Sequence, residues 1–229
     1  MGQQPLSKAV LLCDFDNTII TMDTGEFALK RFGDPHWKLN EVDYERGNIT
    51  FEESLRREFG SIKVPERVIL EKLEKVVVLR PHFEELLQYC KGHNVPFTVV
   101  SGGLDFCIRH FLDRDDWLKF AEIYAPEATY TPQGYILTFP ELLDKDSINF
   151  KQDLVRCHKR MGRKVFYVGD GLGDYSAAIE ADFRFAIKDS KLAYSCRDSN
   201  FRCEEVTDFE PVIIAINRFH RSEPSQTFI

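Results

Sequence analysis

The chain has 229 residues, of which 43% are hydrophobic and 29% are charged, a composition typical of a globular protein and not of a disordered or fibrous one. The formal net charge of −7 disfavours nucleic acid as a partner, because nucleic-acid affinity depends on clustered Lys and Arg side chains. It also means that an anionic substrate would need local hydrogen-bond donors or a bound cation.

Cysteine spacing and hydropathy indicate the compartment. The cysteines contain no CxxC pair, and we expect all of them to be reduced: Cys13, Cys90, Cys107, Cys157, Cys196 and Cys203. Residues 1–7 are short and polar, so we expect no signal peptide. No apolar run approaches the roughly 18 residues that a membrane-spanning helix needs. We therefore expect a cytoplasmic protein without a membrane partner.

Apolar runs that end in Ser, Gly or Asp recur along the chain and predict buried parallel strands at residues 9–15, 96–100, 164–168 and 183–187. Between them lie segments whose apolar residues are three and four positions apart, which predict helices at 81–90, 150–161 and 175–181. This alternation predicts an α/β fold with a doubly wound parallel sheet. Ligands of such sheets bind beyond the carboxyl ends of the strands.

Residues 21–79 do not follow this alternation, because helical patterns at 26–31, 51–59 and 65–77 succeed one another without an apolar strand between them. The stretch is too long for a loop. We therefore predict a small helical cap domain, 21–79, inserted after the first strand and lying over the strand ends. The core domain then comprises 1–20 and 80–229. Residues 129–138, with Gln133 and Gly134 at the centre, predict a β-hairpin.

Carboxylates directly follow two of the predicted strands. Asp14 and Asp16 stand two residues apart in the segment DFDNT, a spacing at which both can reach one ligand. Asp170 and Asp174 belong to the glycine-rich segment GDGLGD. Neighbouring carboxylate oxygens favour Mg²⁺, and zinc is disfavoured because His and Cys ligands do not cluster nearby.

A third predicted strand leads into Ser101, Gly102 and Gly103. The serine hydroxyl and accessible glycine amides suit an oxyanion, and Lys151 near a helix start would supply a cation. Each piece alone has an ordinary explanation, since acids at strand ends often cap helices and an isolated lysine is usually solvated. The order of the four pieces along the chain favours a phosphate site. The acidic loop matches neither GxGxxG nor GxxxxGK[ST], so nucleotide binding is disfavoured.

The segments DFDNT, SGG, Lys151 and GDGLGD resemble, in that order, the four motifs of the haloacid dehalogenase-like superfamily. The resemblance implies a Rossmann-like core, and the insertion resembles the cap of the phosphoserine phosphatase-like branch. It also implies that Asp14 forms an aspartyl-phosphate and that Asp16 is the general acid and base. The remaining implied roles are Mg²⁺ binding by Asp14, Asp170 and the main-chain carbonyl of Asp16, phosphate binding by Ser101, Gly102 and Lys151, and support from Thr18 and Asp174.

The predicted cap would determine which phosphate ester is used. Its candidate substrate contacts are Asp23, Glu26, Arg56 and Arg57. The alternative explanation for each is an ordinary charged side chain exposed to solvent. Phosphoserine phosphatases have a substrate-binding arginine at the position that corresponds to Glu58. The negative charge of Glu58 would repel the carboxylate of phosphoserine. The segments DFDNTI, PHW, 57–60 and SGGLDF are more similar to the methionine-salvage phosphatases of the same branch.

The expected activity is Mg²⁺-dependent hydrolysis of a small phosphorylated metabolite by a monomer or homodimer. Two other enzymatic functions stay open: phosphoserine phosphatase, and a phosphotransferase that passes the same phosphoryl group to an acceptor other than water. A non-catalytic binding protein on the same fold is the third alternative.

Overall fold

The computed structural model describes residues 7–113 and 117–222. Residues 1–6, for which the sequence predicts no signal peptide, lie outside the described residues, as do 114–116 and 223–229. The strands are β1 (Ala9–Cys13), β2 (Phe97–Val100), β3 (Ala121–Tyr124), β4 (Glu127–Thr131), β5 (Gly134–Thr138), β6 (Lys164–Gly169), β7 (Phe183–Ile187) and β8 (Glu204–Val206). The helices are α1 (Thr24–Phe32), α2 (Lys38–Glu45), α3 (Phe51–Phe59), α4 (Glu66–Leu73), α5 (Phe83–Gly92), α6 (Asp105–Leu112), α7 (Trp117–Phe120), α8 (Phe150–Arg160), α9 (Tyr175–Glu180), α10 (Lys191–Asp198) and α11 (Glu210–Ser222).

Six parallel strands form the main sheet, in the order β3-β2-β1-β6-β7-β8. β1 is central, and it is buried along its whole length because β2 and β6 pair with it on either side. Leu11 and Cys13 enter one apolar core, whereas Val10 and Leu12 enter a second one on the opposite face. The predicted doubly wound parallel sheet is confirmed, with an apolar core on each of its faces.

Four helices, α1 to α4, occupy the chain between β1 and α5. Asp23 begins α1 by accepting a hydrogen bond from the main-chain N–H of Glu26, and Thr50 begins α3 in the same way with Glu53. No described helix is both long enough and apolar enough to cross a membrane. The division of the chain into a core domain and a cap domain remains a prediction.

Two features of this helical stretch differ from the predicted pattern. The sequence did not predict α2, because none of its residues is buried and it therefore has no apolar stripe. α4 ends at Leu73 and not at residue 77. The chain leaves the helix there, and Leu79 pairs with Ile20 in an isolated antiparallel bridge outside the sheets.

β1 ends at Cys13, two residues before the predicted end of the strand at residue 15, because a tight turn follows. The Asp14 side chain accepts a hydrogen bond of 2.8 Å from the main-chain N–H of Phe15, and Asn17 has a φ of 51°. Asn tolerates this left-handed conformation better than most residues. The turn lifts the segment after β1 out of the sheet and into the region beyond the strand ends.

Other boundaries follow local backbone conformation and exposure. α5 begins at Phe83 and not at residue 81, because His82 is left-handed with a φ of 63°. The edge strands β3 and β8 were not predicted, since β3 has only one buried residue and β8 has only three residues. The predicted hairpin is confirmed by the antiparallel pair β4 and β5.

The expectation that every cysteine is reduced is wrong for one pair. Cys196 in α10 and Cys203, just before β8, form a disulfide with their Cα atoms 6.3 Å apart. The chain reverses between them at Asn200, whose φ is 51°. Their separation of seven residues matches no redox motif, so the sequence did not reveal the pairing. The other cysteines are buried free thiols: Cys13, Cys90, Cys107 and Cys157.

Replacing Gly134 with Ala should destabilise the fold strongly. Gly134 has a φ of +136°, and a Cβ atom there would lie 1.8 Å from the carbonyl oxygen of Gly60 at the end of α3. We expect the free energy of unfolding to fall by about 3 kcal/mol or more, because overpacking and backbone strain add. Gly162→Ala is the control, since Gly162 has a φ of +76° and no atom within 4 Å of the added Cβ. It should cost about 1–2 kcal/mol. Urea unfolding would measure both, and equal losses would contradict the account of Gly134.

Candidate active site

A cavity of about 450 Å³ opens at the carboxyl ends of three neighbouring strands. Asp14 follows β1, Ser101 follows β2 and Asp170 follows β6, and all three line it. The opposite wall consists of residues from α1, α2 and α3. Because β1 lies between β2 and β6, parallel pairing alone brings the three predicted motifs to the same edge.

Lys151 in α8 lies between two carboxylates at the centre of this cavity. Its Nζ atom is 2.6 Å from Oδ1 of Asp174 and 3.1 Å from Oδ1 of Asp14. The lysine side chain is only 3% exposed. Burial lowers the pKa of Lys151, but the charges of Asp14 and Asp174 outweigh it, so the pKa lies above its usual value. The lysine is therefore a fixed buried cation.

Asp174 is held by four donors. Besides Lys151, these are the hydroxyl of Tyr167 at 2.7 Å and the main-chain N–H groups of Asp170 at 3.1 Å and Gly171 at 2.9 Å. Burial alone would raise the pKa of Asp174. The charge of Lys151 and these hydrogen bonds lower it by more, so the pKa of Asp174 lies below its usual value. Asp174 thus stays ionised and orients Lys151.

Asp14 joins the ends of β1 and β6. Its main-chain N–H donates to the carbonyl of Val168 at 2.9 Å, and its Oδ1 atom accepts from the N–H of Phe15. Burial and the nearby Asp174 raise the pKa of Asp14 well above its usual value, whereas Lys151 lowers it. The carboxyl group of Asp14 is therefore poorly solvated and lies beside a fixed cation.

Asp16 lies in the turn after β1 and faces α1. Its Oδ1 atom accepts two hydrogen bonds of 2.7 Å, from the main-chain N–H and the hydroxyl of Thr24. Burial and then Asp23 raise the pKa of Asp16 to about 8, against the hydrogen bonds from Thr24. A Cβ atom on Gly103 would lie 2.4 Å from Oδ2 of Asp16, so only glycine allows the two loops to approach this closely.

Three carboxylates form an acid cluster in the part of the chain that the structure describes. One oxygen atom each from Asp14, Asp170 and Asp174 lies within 4.8 Å of the others. Burial, Asp174 and Asp23 raise the pKa of Asp170 to about 7, and the hydroxyl of Thr18 donates to its Oδ1 at 3.4 Å. Mutual repulsion among buried carboxylates is relieved by a cation, and oxygen donors suit a hard one such as Mg²⁺. The acid cluster could therefore hold a metal ion.

The Ser-Gly-Gly turn lies opposite the acid cluster. The Ser101 hydroxyl accepts a hydrogen bond of 3.0 Å from the N–H of Gly103, which leaves the hydroxyl proton available for a phosphate oxygen. Gly102 packs against α3, since a Cβ atom there would lie 2.7 Å from the ring of Phe51. Ser101 and Gly102 both line the cavity, as expected of a phosphate-binding turn.

The structure brings only some of the predicted cap contacts to the cavity. Asp23 and Glu26 line it, although Asp23 also caps α1 and Glu26 pairs with Lys30 at 2.9 Å. Arg56 and Arg57 are not among the lining residues: the guanidinium of Arg56 lies 4.5 Å from the ring centre of Phe139, and Arg57 pairs with Glu53.

Sequence reasoning missed Arg80, which holds the turn after β1 in place. Its guanidinium donates to the carbonyls of Asn17, Thr18 and Thr207, with the Thr18 distance at 2.7 Å. The only sequence signal is its position at the return from the helical stretch to the core. Tyr167 was missed as well, because it belongs to an apolar strand and looks like an ordinary core residue.

The fold and the cavity are those of an α/β enzyme that acts on an anionic group, since a buried cation and a hydroxyl donor face an acid cluster. The haloacid dehalogenase-like hydrolase family matches residues 11–178. The chain therefore belongs to this family.

Two curated relatives cover nearly the whole chain. The 2-hydroxy-3-keto-5-methylthiopentenyl-1-phosphate phosphatase of Lysinibacillus sphaericus is 26% identical, over 90% of this chain and 90% of its own length. A polyol phosphate phosphatase of Saccharomyces cerevisiae is 25% identical, over 92% of this chain and 93% of its own. Among solved structures, a substrate-bound phosphoserine phosphatase matches with a TM-score of 0.67 and 21% identity, over 91% of this chain and 98% of its own. The structural likeness shows the fold.

Replacing Asp174 with Ala should destabilise the protein by about 3–5 kcal/mol, because it removes one member of a buried ion pair and leaves buried donors unsatisfied. Lys164→Ala is the control, since it removes a surface pair in which Nζ is 2.7 Å from Asp182 and the lysine is 55% exposed. It should cost less than about 1 kcal/mol. Chemical denaturation measures both losses. Similar values would show that the Lys151–Asp174 pair does not hold the site together.

Proposed function

We propose that the chain is a Mg²⁺-dependent phosphomonoesterase that hydrolyses a small phosphorylated metabolite through an aspartyl-phosphate on Asp14. The observation that carries the proposal is the position of Asp14. It stands at the end of the central strand, in one cavity with Lys151, Ser101 and Asp170. A nucleophile, a cation, a hydroxyl donor and a candidate metal ligand thus face the same space.

In the first step, a carboxylate oxygen of Asp14 attacks phosphorus, and the bond between phosphorus and the ester oxygen breaks. Asp16 gives its proton to the departing oxygen. Its raised pKa, about 8, keeps it protonated near neutral pH, as a general acid requires. The alcohol leaves, and the phosphoryl group remains on Asp14.

In the second step, water attacks the phosphorus of the aspartyl-phosphate and gives a proton to Asp16, which the first step left ionised. The bond between phosphorus and Asp14 breaks, and inorganic phosphate is released. Both carboxyl groups return to their starting protonation states, so the protein neither gains nor loses a proton over the two steps. The hydrogen bonds from Thr24 fix Oδ1 of Asp16 during both transfers.

The residues around phosphorus stabilise the charge that it carries. Lys151, the Ser101 hydroxyl and the Gly102 amide would contact the phosphoryl oxygens. Asp14, Asp170 and the main-chain carbonyl of Asp16 would hold Mg²⁺, which when bound supplies positive charge beside the transferred group. Asp174 orients Lys151, and Thr18 orients Asp170.

Contacts between α2 and the core support a cap over this cavity. Lys191 lies 2.9 Å from Glu45, and the Tyr44 hydroxyl lies 3.5 Å from the carbonyl of Leu172. A cavity of about 450 Å³ suits a small metabolite and not a macromolecule. The names of the relatives, which specify 2-hydroxy-3-keto-5-methylthiopentenyl-1-phosphate and polyol phosphates, support the same substrate class.

Asp14→Asn should abolish hydrolysis of p-nitrophenyl phosphate and of metabolite esters, because an amide cannot form the acyl-phosphate. With Mg²⁺ present, acid-quenched wild-type enzyme should carry a labelled phosphoryl group that the variant lacks. Asp198→Asn, which changes an exposed residue outside the cavity lining, is the control and should keep full activity. Residual turnover of Asp14→Asn above about 1% of the wild-type rate would contradict the mechanism. Phosphorylated alcohol as the main product, when an acceptor alcohol is added, would instead support a phosphotransferase.

A further inference from the structure

One half of the cavity takes no part in the proposed chemistry. Beyond the acid cluster it is lined by the apolar side chains of Leu29, Trp37 and Phe59. Polar residues of the cap helices also line this half, above all Ser54 and Glu58 from α3. A leaving alcohol attached to phosphorus at Asp14 would extend into this space.

Glu58 is a buried carboxyl with one oxygen atom engaged. Glu58 is 5% exposed and Ser54 is 2% exposed. The Ser54 hydroxyl donates to Oε1 of Glu58 at 2.8 Å across one turn of α3. Glu58 also lines the cavity, and the hydrogen bond that the structure gives its carboxyl group is the one from Ser54 to Oε1. The second oxygen, Oε2, can therefore accept a hydrogen bond from a hydroxyl group that enters the cavity.

The electrostatic surroundings of Glu58 are negative. Burial raises its pKa to about 7; the hydrogen bond from Ser54 lowers the pKa, Glu41 and Asp23 raise it, and Lys191, the last and smallest contribution, lowers it. Glu41 and Asp23 also line the cavity. A carboxylate on the substrate would therefore meet like charges in this poorly solvated part of the cavity.

Two of the three lysines that line the cavity are already paired with carboxylates of the protein. Lys151 is bound to Asp14 and Asp174 at the acid cluster, and Lys191 is paired with Glu45. Lys38 is exposed at the rim, where its Nζ lies 5.4 Å from the ring centre of Trp37. No arginine of the described chain lines the cavity, so the bidentate partner that carboxylates prefer is missing.

We propose that Glu58, positioned by Ser54, determines substrate specificity by accepting a hydroxyl group of the leaving alcohol and excluding carboxylates. The preferred substrates are then phosphate monoesters of uncharged polyhydroxylated alcohols. This inference rests on the proposed phosphatase function and adds the class of leaving group to it.

A matched pair of esters tests the inference on the full-length wild-type chain with Mg²⁺. Erythritol 4-phosphate and 4-phosphoerythronate share a four-carbon skeleton and differ by a hydroxymethyl group in place of a carboxylate. We expect kcat/KM to favour erythritol 4-phosphate by at least about 100-fold, because like-charge contacts cost several kcal/mol. p-Nitrophenyl phosphate, measured in parallel, reports on the phosphatase reaction itself.

Glu58→Gln keeps the shape of the side chain and an acceptor for Ser54 but removes the charge. It should lower the ratio of the two kcat/KM values by at least about 10-fold, mainly by improving KM for 4-phosphoerythronate. Glu53→Gln is the control, because Glu53 lies on the same helix, is 41% exposed and does not line the cavity. It should leave the ratio unchanged.

A wild-type ratio near one would overturn the inference without any variant, so the test does not depend on the folding of Glu58→Gln. A large wild-type ratio that Glu58→Gln leaves unchanged would overturn the role of Glu58. In both cases, hydrolysis of p-nitrophenyl phosphate would leave the proposed function standing. Failure to hydrolyse every ester, p-nitrophenyl phosphate included, would overturn both the inference and the proposed function.

Discussion

A buried lysine between two carboxylates is the interaction on which the rest of this structure depends. Lys151 reaches Asp174 from one side and Asp14 from the other, and all three side chains are nearly inaccessible to solvent. Transferring charges from water costs several kcal/mol for each ion, a cost that close hydrogen-bonded pairing offsets. Because the three residues belong to different motifs, their pairing fixes the ends of β1 and β6 relative to α8. The shape of the cavity follows from that constraint.

The same acids that make the site chemically useful make it costly to fold. Asp14 and Asp170 have raised pKa values because burial and neighbouring carboxylates disfavour their ionised forms. A protein selected for stability alone would not place three carboxylates within 4.8 Å of one another. The proposed phosphoryl transfer would need such a preorganised arrangement, since the charge of the reacting group must be met without rearrangement. Under that proposal, folding free energy is given up at the site of the reaction.

Most of the fold was predictable from the sequence, because buried parallel strands are continuous apolar runs and β7 was predicted with its observed bounds. α2 and β8 were not predictable, since neither buries a continuous apolar face and only tertiary contacts define them. Three of the four core motifs could be found because each follows a strand that pairs with its neighbour, whereas Lys151 lies in α8. The helical residues that line the cavity were predicted only in part, because adjacent helical residues point about 100° apart: Asp23 and Glu26 line it, and Arg56 and Arg57 do not. That rotation directs Glu58 into the cavity, whereas Arg57 pairs with Glu53.

The most direct test of the central claim, that Asp14 is the nucleophile of one phosphate and cation centre, is a crystal structure with Mg²⁺ and beryllofluoride. The account predicts beryllium bonded to a carboxylate oxygen of Asp14, with fluorine atoms facing Lys151 and Ser101. It also predicts Mg²⁺ on Asp14 and Asp170. Beryllofluoride bound away from Asp14, or Mg²⁺ held only by other acids, would contradict it.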